Sequence, residues 1–117
     1  MMKHFIYKIC AKQAWDEACR NGHFDGSADD RRDGFIHLST ARQLSGTLAK
    51  HFAGQTGLVL IEFDPRALAA ALRWETSAGG HTYPHLYADL PTSAAVSVRD
   101  LPLRPDGGHA LPEELSS

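Results

Sequence analysis

Three short stretches hold the residues that could do chemistry. DGFIHLST, from Asp33 to Thr40, sets His37 and Ser39 two apart at the end of an apolar run. RWE, from Arg73 to Glu75, offers a carboxylate beside Trp74. Further on, His81, Tyr83, His85 and Tyr87 recur at a spacing of two, which places all four on one face of an extended chain. Brought into one cleft, these stretches supply an acid or base, a carboxylate, hydroxyls and aromatic walls, the make-up of a small-molecule site. Each residue also has a plain structural role open to it. His37 could be a core histidine satisfied by a carbonyl and a hydroxyl, Glu75 could pair with Arg73 at the surface, and the two tyrosines could pack with their hydroxyls in water.

Other chemistries fit the spacing less well. Of seven histidines only His81 and His85 stand four apart, and Pro84 between them rules out the zinc-binding helix pattern. On a strand the two would be roughly 13 Å apart, too far to share an ion. A mononuclear site from His37, His85 and Glu75 is the arrangement left, so no metal is expected and a metal-dependent hydrolase is the weakest reading. Ser39 lacks the G-x-S-x-G elbow of a serine hydrolase, and neither Cys10 nor Cys19 has a visible thiolate-stabilising setting. The acidic run around Asp25 to Asp33 lacks the spacing and closing glutamate of a calcium loop.

The elements that must position these residues follow from periodicity. HFIYKIC, His4 to Cys10, alternates Phe5, Tyr7 and Ile9 against Ile6, Lys8 and Cys10 and reads as a first strand. Ala11 to Arg20 has helical spacing through Trp15, and Asn21-Gly22 ends it. His23 to Asp33 is polar enough to be a solvated surface loop. Phe35 to Ser39 reads as one strand, with Phe35, His37 and Ser39 on one side. Thr40 and Gln43 fit a capping box ahead of a helix through Leu44, Leu48 and Phe52 that ends near Gly54, with His51 suited to its negative end. LVLIEF, Leu58 to Phe63, is a buried central strand, and Asp64-Pro65 launch a short alanine-rich helix to Leu72. Arg73 to Glu75 and Thr82 to Tyr87 are strands, the latter an edge strand or a bulge because of Pro84. Ala95 to Leu101 is the last strand.

Alternation early and strands late predict an α+β fold with a split or mixed sheet and two to three helices, and no glycine fingerprint for a dinucleotide-binding Rossmann unit follows the first strand. With 117 residues the chain is one domain over 1–104, followed by a tail over 105–117 that is poorly ordered at its end. A hydrophobic share of 43% against 22% charged residues is globular composition. A formal charge of -2 offers no general attraction to nucleic acid or anionic lipid. No apolar run reaches the ~20 residues that span a bilayer, and two cysteines without a leader pattern predict a cytoplasmic protein, with Cys10 and Cys19 buried and unbridged.

Taken together, DGFIHLST, LVLIEF, RWE and YPHLY followed by LP resemble the bacterial family catalogued as domain of unknown function 952, in the family's order and from about His4 to Leu103. The resemblance implies a fold akin to the ADP-ribosyltransferase superfamily, in which two small sheets form a cleft for NAD. By motif it implies His37, Glu75 and His85 as catalytic residues and Ser39, Thr40 and Tyr87 as ligand contacts, with Tyr83 a further expected contact from the spacing of its stretch. Family members often carry a histidine in the first strand where this chain has Lys8, which could bind phosphate instead, and a glycine where it has Ala88. Three functions follow as expectations: an NAD-type transferase, a non-catalytic module binding a small molecule or peptide in the same cleft, and the metal-dependent hydrolase.

Overall fold

The computed structural model describes residues 4–115. Its elements begin with β1 (Ile6–Ala11), α1 (Lys12–Asn21), β2 (His23–Phe24), α2 (Ala28–Asp33), β3 (Ile36–His37), β4 (Ser39–Thr40) and α3 (Leu44–His51). They continue with β5 (Leu58–Phe63), β6 (Leu72–Thr76), β7 (Thr82–Leu86), β8 (Leu90–Pro91) and β9 (Ala95–Leu101). The fold is α+β, as its alternating pattern predicts. The sheet is split in three, with orders β4-β1-β5-β9, β3-β7-β6 and β2-β8. All pairings among these strands are antiparallel, so the split arrangement occurs and the mixed one does not.

β1 and β5 are the central strands of the largest sheet, and both of its faces are covered. One carries Ile6, Cys10, Val59, Ile61 and Phe63 into a core shared with Trp15 of α1, Phe24, Ile36 and Leu86. The other carries Tyr7, Ile9, Leu58 and Leu60 against Leu44 and Leu48 of α3. Trp15 anchors α1 edge-on against Phe63, ring centroids 6.3 Å apart. Because both faces are dry, Lys8 is buried with its neighbours, only 5% exposed.

Several expectations need correction. His23 to Asp33 is not a solvated loop, because Ser27 and Asp30 cap each other. Ser27 N–H donates to Asp30 Oδ2 at 2.9 Å and Asp30 N–H to Ser27 Oγ at 3.3 Å, which starts α2. Asp29 and Asp30 at its start and Arg31 and Arg32 at its end complement the helix dipole, and Gly34, at φ +84°, closes it. After Asp64-Pro65 the chain forms only a 3₁₀ turn over Pro65–Leu68 and not a longer helix. Cys10 is buried but Cys19 is exposed, and both thiols are free.

Pro84 does not mark an edge strand, since β7 lies between β3 and β6. Its carbonyl accepts from Leu38 N–H at 3.1 Å, but proline has no N–H to return the bond. The β3–β7 ladder therefore ends at the pair His37 and His85. The chain swings away at Leu38, and Ser39 and Thr40 pair with Tyr7 and Ile6 of β1 instead. The expected single strand from Phe35 to Ser39 is thus two strands in two sheets.

The chain after Pro102 turns back on the body. Leu103 bridges to His109, whose Nε2 donates to the Gln55 carbonyl at 2.7 Å. Leu111 and Leu115 pack on the α3-side core. Residues 116–117, the expected disordered end, lie outside the described residues.

Candidate functional site

The site starts from the buried ammonium of Lys8. A charge shut away on an apolar strand needs a counter-charge and filled hydrogen bonds. Asp30, 2% exposed, supplies the first at 2.8 Å, and the His37 carbonyl accepts a second bond at 3.0 Å. Asp30 in turn is fully used. Oδ2 takes Lys8 and Ser27 N–H, while Oδ1 takes His37 N–H at 3.0 Å and faces His37 Nδ1 at 2.7 Å. Burial alone would push the Asp30 carboxyl up; the imidazole bond and the Lys8 ammonium outweigh it and hold the group well below the usual carboxylate range. Lys8 and Asp30 together fix the β1 strand, α2 and the orientation of one imidazole.

A second histidine is fixed in the same manner. His85 Nδ1 lies 2.8 Å from Glu75 Oε1, and Tyr87 Oη donates to the same oxygen at 2.6 Å. The Tyr87 bond first, and the His85 bond second, hold Glu75 below its ordinary value, so the carboxylate is ionised and acts as acceptor. Nδ1 of His85 therefore carries the hydrogen. Nε2 is left without a protein partner among the described residues.

The two imidazoles are register partners across β3 and β7, and their centroids lie 5.7 Å apart. Phe35 stacks on His85 at 4.0 Å and 21°, and its ring also lies 4.7 Å from His37 and 5.3 Å from Tyr87. Both histidines line a cleft of about 340 Å³ between β1, α2, α3 and β7, whose walls include Lys8, Asp33, Thr47, Lys50 and Tyr83. β4 covers β1 only as far as Tyr7, so Lys8 and Ile9 reach the cleft from the uncovered edge.

The expected residues divide on placement. His37, His85, Ser39, Lys8 and Tyr83 come together at the cleft. Lys8 is bound up with Asp30 and His37, which makes it a support for the site. Ser39 is buried, its Oγ 3.1 Å from Thr47 Oγ1. Thr40 caps the turn before α3, its N–H donating to Gln43 Oε1 at 3.0 Å, and stands off the cleft wall. Glu75 and Tyr87 stand behind His85 and also off the wall. His37, His85 and Glu75 do not gather as metal ligands, and among the described residues no group of three or more His, Cys, Asp or Glu side chains does. Sequence reasoning missed Asp30, Asp33 and Thr47. The spacing of Ser27 and Asp30, with the acid-to-base order of the residues between Asp29 and Arg32, was the available signal for the first.

A small α+β protein with a histidine-lined cleft between split antiparallel sheets is the class these features define. The family model described as "Protein of unknown function (DUF952)" matches residues 9–98, and the chain belongs to that family. It is similar to the crystal structure of protein CC0527 from Caulobacter crescentus, at 45% identity over 95% of this chain and 97% of that one, with a TM-score of 0.90. The solution structure of CC0527 is similar at 46% identity over 89% and 90% of the two chains, with a TM-score of 0.81. No curated protein matches the chain. No helix of the described residues is long and apolar enough to cross a membrane.

Proposed function

We propose that the cleft binds a small ligand of the nucleotide type, with NAD or its ADP-ribose fragment as first candidate, and that His85 exchanges a proton with it. The observation that carries this reading is the pair of carboxylate-anchored imidazoles 5.7 Å apart on one ladder. Glu75 fixes the tautomer and orientation of His85, which leaves Nε2 as the nitrogen a ligand would meet. Phe35 and Tyr83 supply aromatic surface for a ring. A cleft of about 340 Å³ is at the small end for ligand pockets, which suits one half of a dinucleotide better than the whole. The ADP-ribosyltransferase-like fold that the family resemblance implies favours a transferase, a step by analogy from fold to chemistry.

One observation favours a second reading, binding without turnover. In a transferase of that type the glutamate engages ribose hydroxyls, whereas Glu75 is turned to His85 and Tyr87 and is off the cleft wall. Calorimetry with ADP-ribose and NAD tests the shared part: saturable binding, weakened at least about tenfold in His85→Ala while circular dichroism shows that the variant remains folded. Release of nicotinamide from NAD separates the two readings. Absence of any binding at millimolar ligand removes both.

A further inference from the structure

His37 differs from His85 in having both ring nitrogens occupied. Nδ1 faces Asp30 Oδ1 at 2.7 Å and Nε2 faces Asp33 Oδ2 at 3.0 Å. The Asp30 contact has hydrogen-bond geometry, whereas the Asp33 contact is a close approach of Nε2 to a carboxylate oxygen. The two carboxylates are not equivalent. Asp30 is locked in place by Lys8, Ser27 and the His37 backbone. Asp33 is about one-third exposed, at 35%, and lines the cleft.

Asp33 also has a second partner. Arg32 Nε lies 3.1 Å from its Oδ1, and Arg32 Nη2 lies 3.5 Å from its Oδ2. The Arg32 bond, first, and the nearby His37 hold this carboxyl below its ordinary value, so it stays ionised. Arg32, which reaches both oxygens, leaves Asp33 a charged partner when a ligand takes its place on His37. Asp33 Oδ2 thus fills, on the outward nitrogen of a fixed imidazole, the place where a ligand atom of the same kind would bind.

We propose that the ligand of this cleft carries an anionic oxygen, phosphate or carboxylate, that replaces Asp33 Oδ2 on His37 Nε2. Asp33 is then a built-in competitor that sets the specificity of the site. A neutral carbonyl or hydroxyl would exchange contact with a charged oxygen for a weaker one and is disfavoured, whereas an anion replaces like with like. The cationic side of the cleft wall is made by His37, His85, and Lys50 and His51 from the end of α3; the charge of Asp30 is answered by Lys8, and Asp29 is paired with Arg32. The inference rests on the cleft being a ligand site, as proposed above.

The test measures binding of inorganic phosphate, acetate, ADP-ribose and neutral nicotinamide to the full chain and to three variants. Asp33→Asn removes the competing charge, Asp33→Ala removes the acceptor altogether, and Asp29→Asn removes one charge from the same helix without touching His37. Both Asp33 variants are expected to gain about tenfold or more in affinity for ADP-ribose and for phosphate or acetate, against less than about threefold for Asp29→Asn and no change for nicotinamide. Phosphate and acetate separate the two sources of the oxygen. Gains as large in Asp29→Asn, or equal anion binding by wild type and Asp33→Ala, overturn the competitor and leave the ligand site standing. Failure of every probe on every variant overturns both.

Discussion

Lys8 and Asp30 are 22 residues apart in the chain and 2.8 Å apart in the fold, each almost wholly shut from water. Their contact ties the central strand of the main sheet to the helix that carries the acidic side of the cleft. Removing one partner leaves the other charged and buried, so Asp30→Ala should cost about 3–5 kcal/mol. The double variant Lys8→Met/Asp30→Asn should recover a large part of that loss. Urea denaturation of both variants and of the wild type checks it; a double variant no more stable than Asp30→Ala would show that the pair is not coupled.

The same carboxylate sets an acid limit. Its pKa is lowered in the folded state, so its contribution is complete above the unfolded value of about 3.9 and is lost as pH falls below that. The stability gap between wild type and Lys8→Met/Asp30→Asn should therefore be constant from about pH 7 to 5 and roughly 1 kcal/mol smaller at pH 3. Urea midpoints taken across this range decide the matter, and a gap that grows towards acid would have the wrong sign.

Gly34 separates Asp33 from Phe35, the neighbour of one histidine from the neighbour of both, at φ +84°. An alanine there meets no atom within 4 Å, so the penalty is purely one of backbone conformation. Gly34→Ala should cost about 1–2 kcal/mol in chemical denaturation, and the cross-peaks of Phe35, His37 and His85 should shift together in NMR spectra. A change confined to α2 would mean that the turn does not position the aromatic cluster.

The two thiols should part clearly in reactivity. Burial, before any charge effect, pushes the Cys10 thiol up to about 11, whereas Cys19 is exposed on α1. Alkylation of native protein followed by mass spectrometry should label Cys19 within minutes and Cys10 only after denaturant is added. Fast labelling of both would contradict the packing of β1 against α1.

Much of the frame was legible because periodicity reports burial. LVLIEF, the Trp15 helix, the Thr40–Gln43 cap and the late strand all stand where their patterns put them. The break at Leu38 was not legible, because alternation runs on through it and the cause lies on another strand, in the donor that Pro84 lacks. Asp30 was missed for a related reason. In sequence it is one of several acids in a polar run, and it becomes distinctive only once both faces of β1 are known to be covered and Lys8 is left to seek a partner. Exposed Cys19 is the converse case, a residue on the helical stripe that falls just outside the buried arc of Trp15 and Ala18. His37 and His85 were chosen for their chemistry, and that they face each other across one ladder is a fact of register.

That register has a dynamic consequence. The distance between the imidazoles is fixed by main-chain pairing, Ile36 to Leu86 and His37 to His85, and not by loops that can loosen on their own. Amide exchange at these positions should share one opening free energy, so that the cleft disappears in the same cooperative event that melts the β3–β7 ladder.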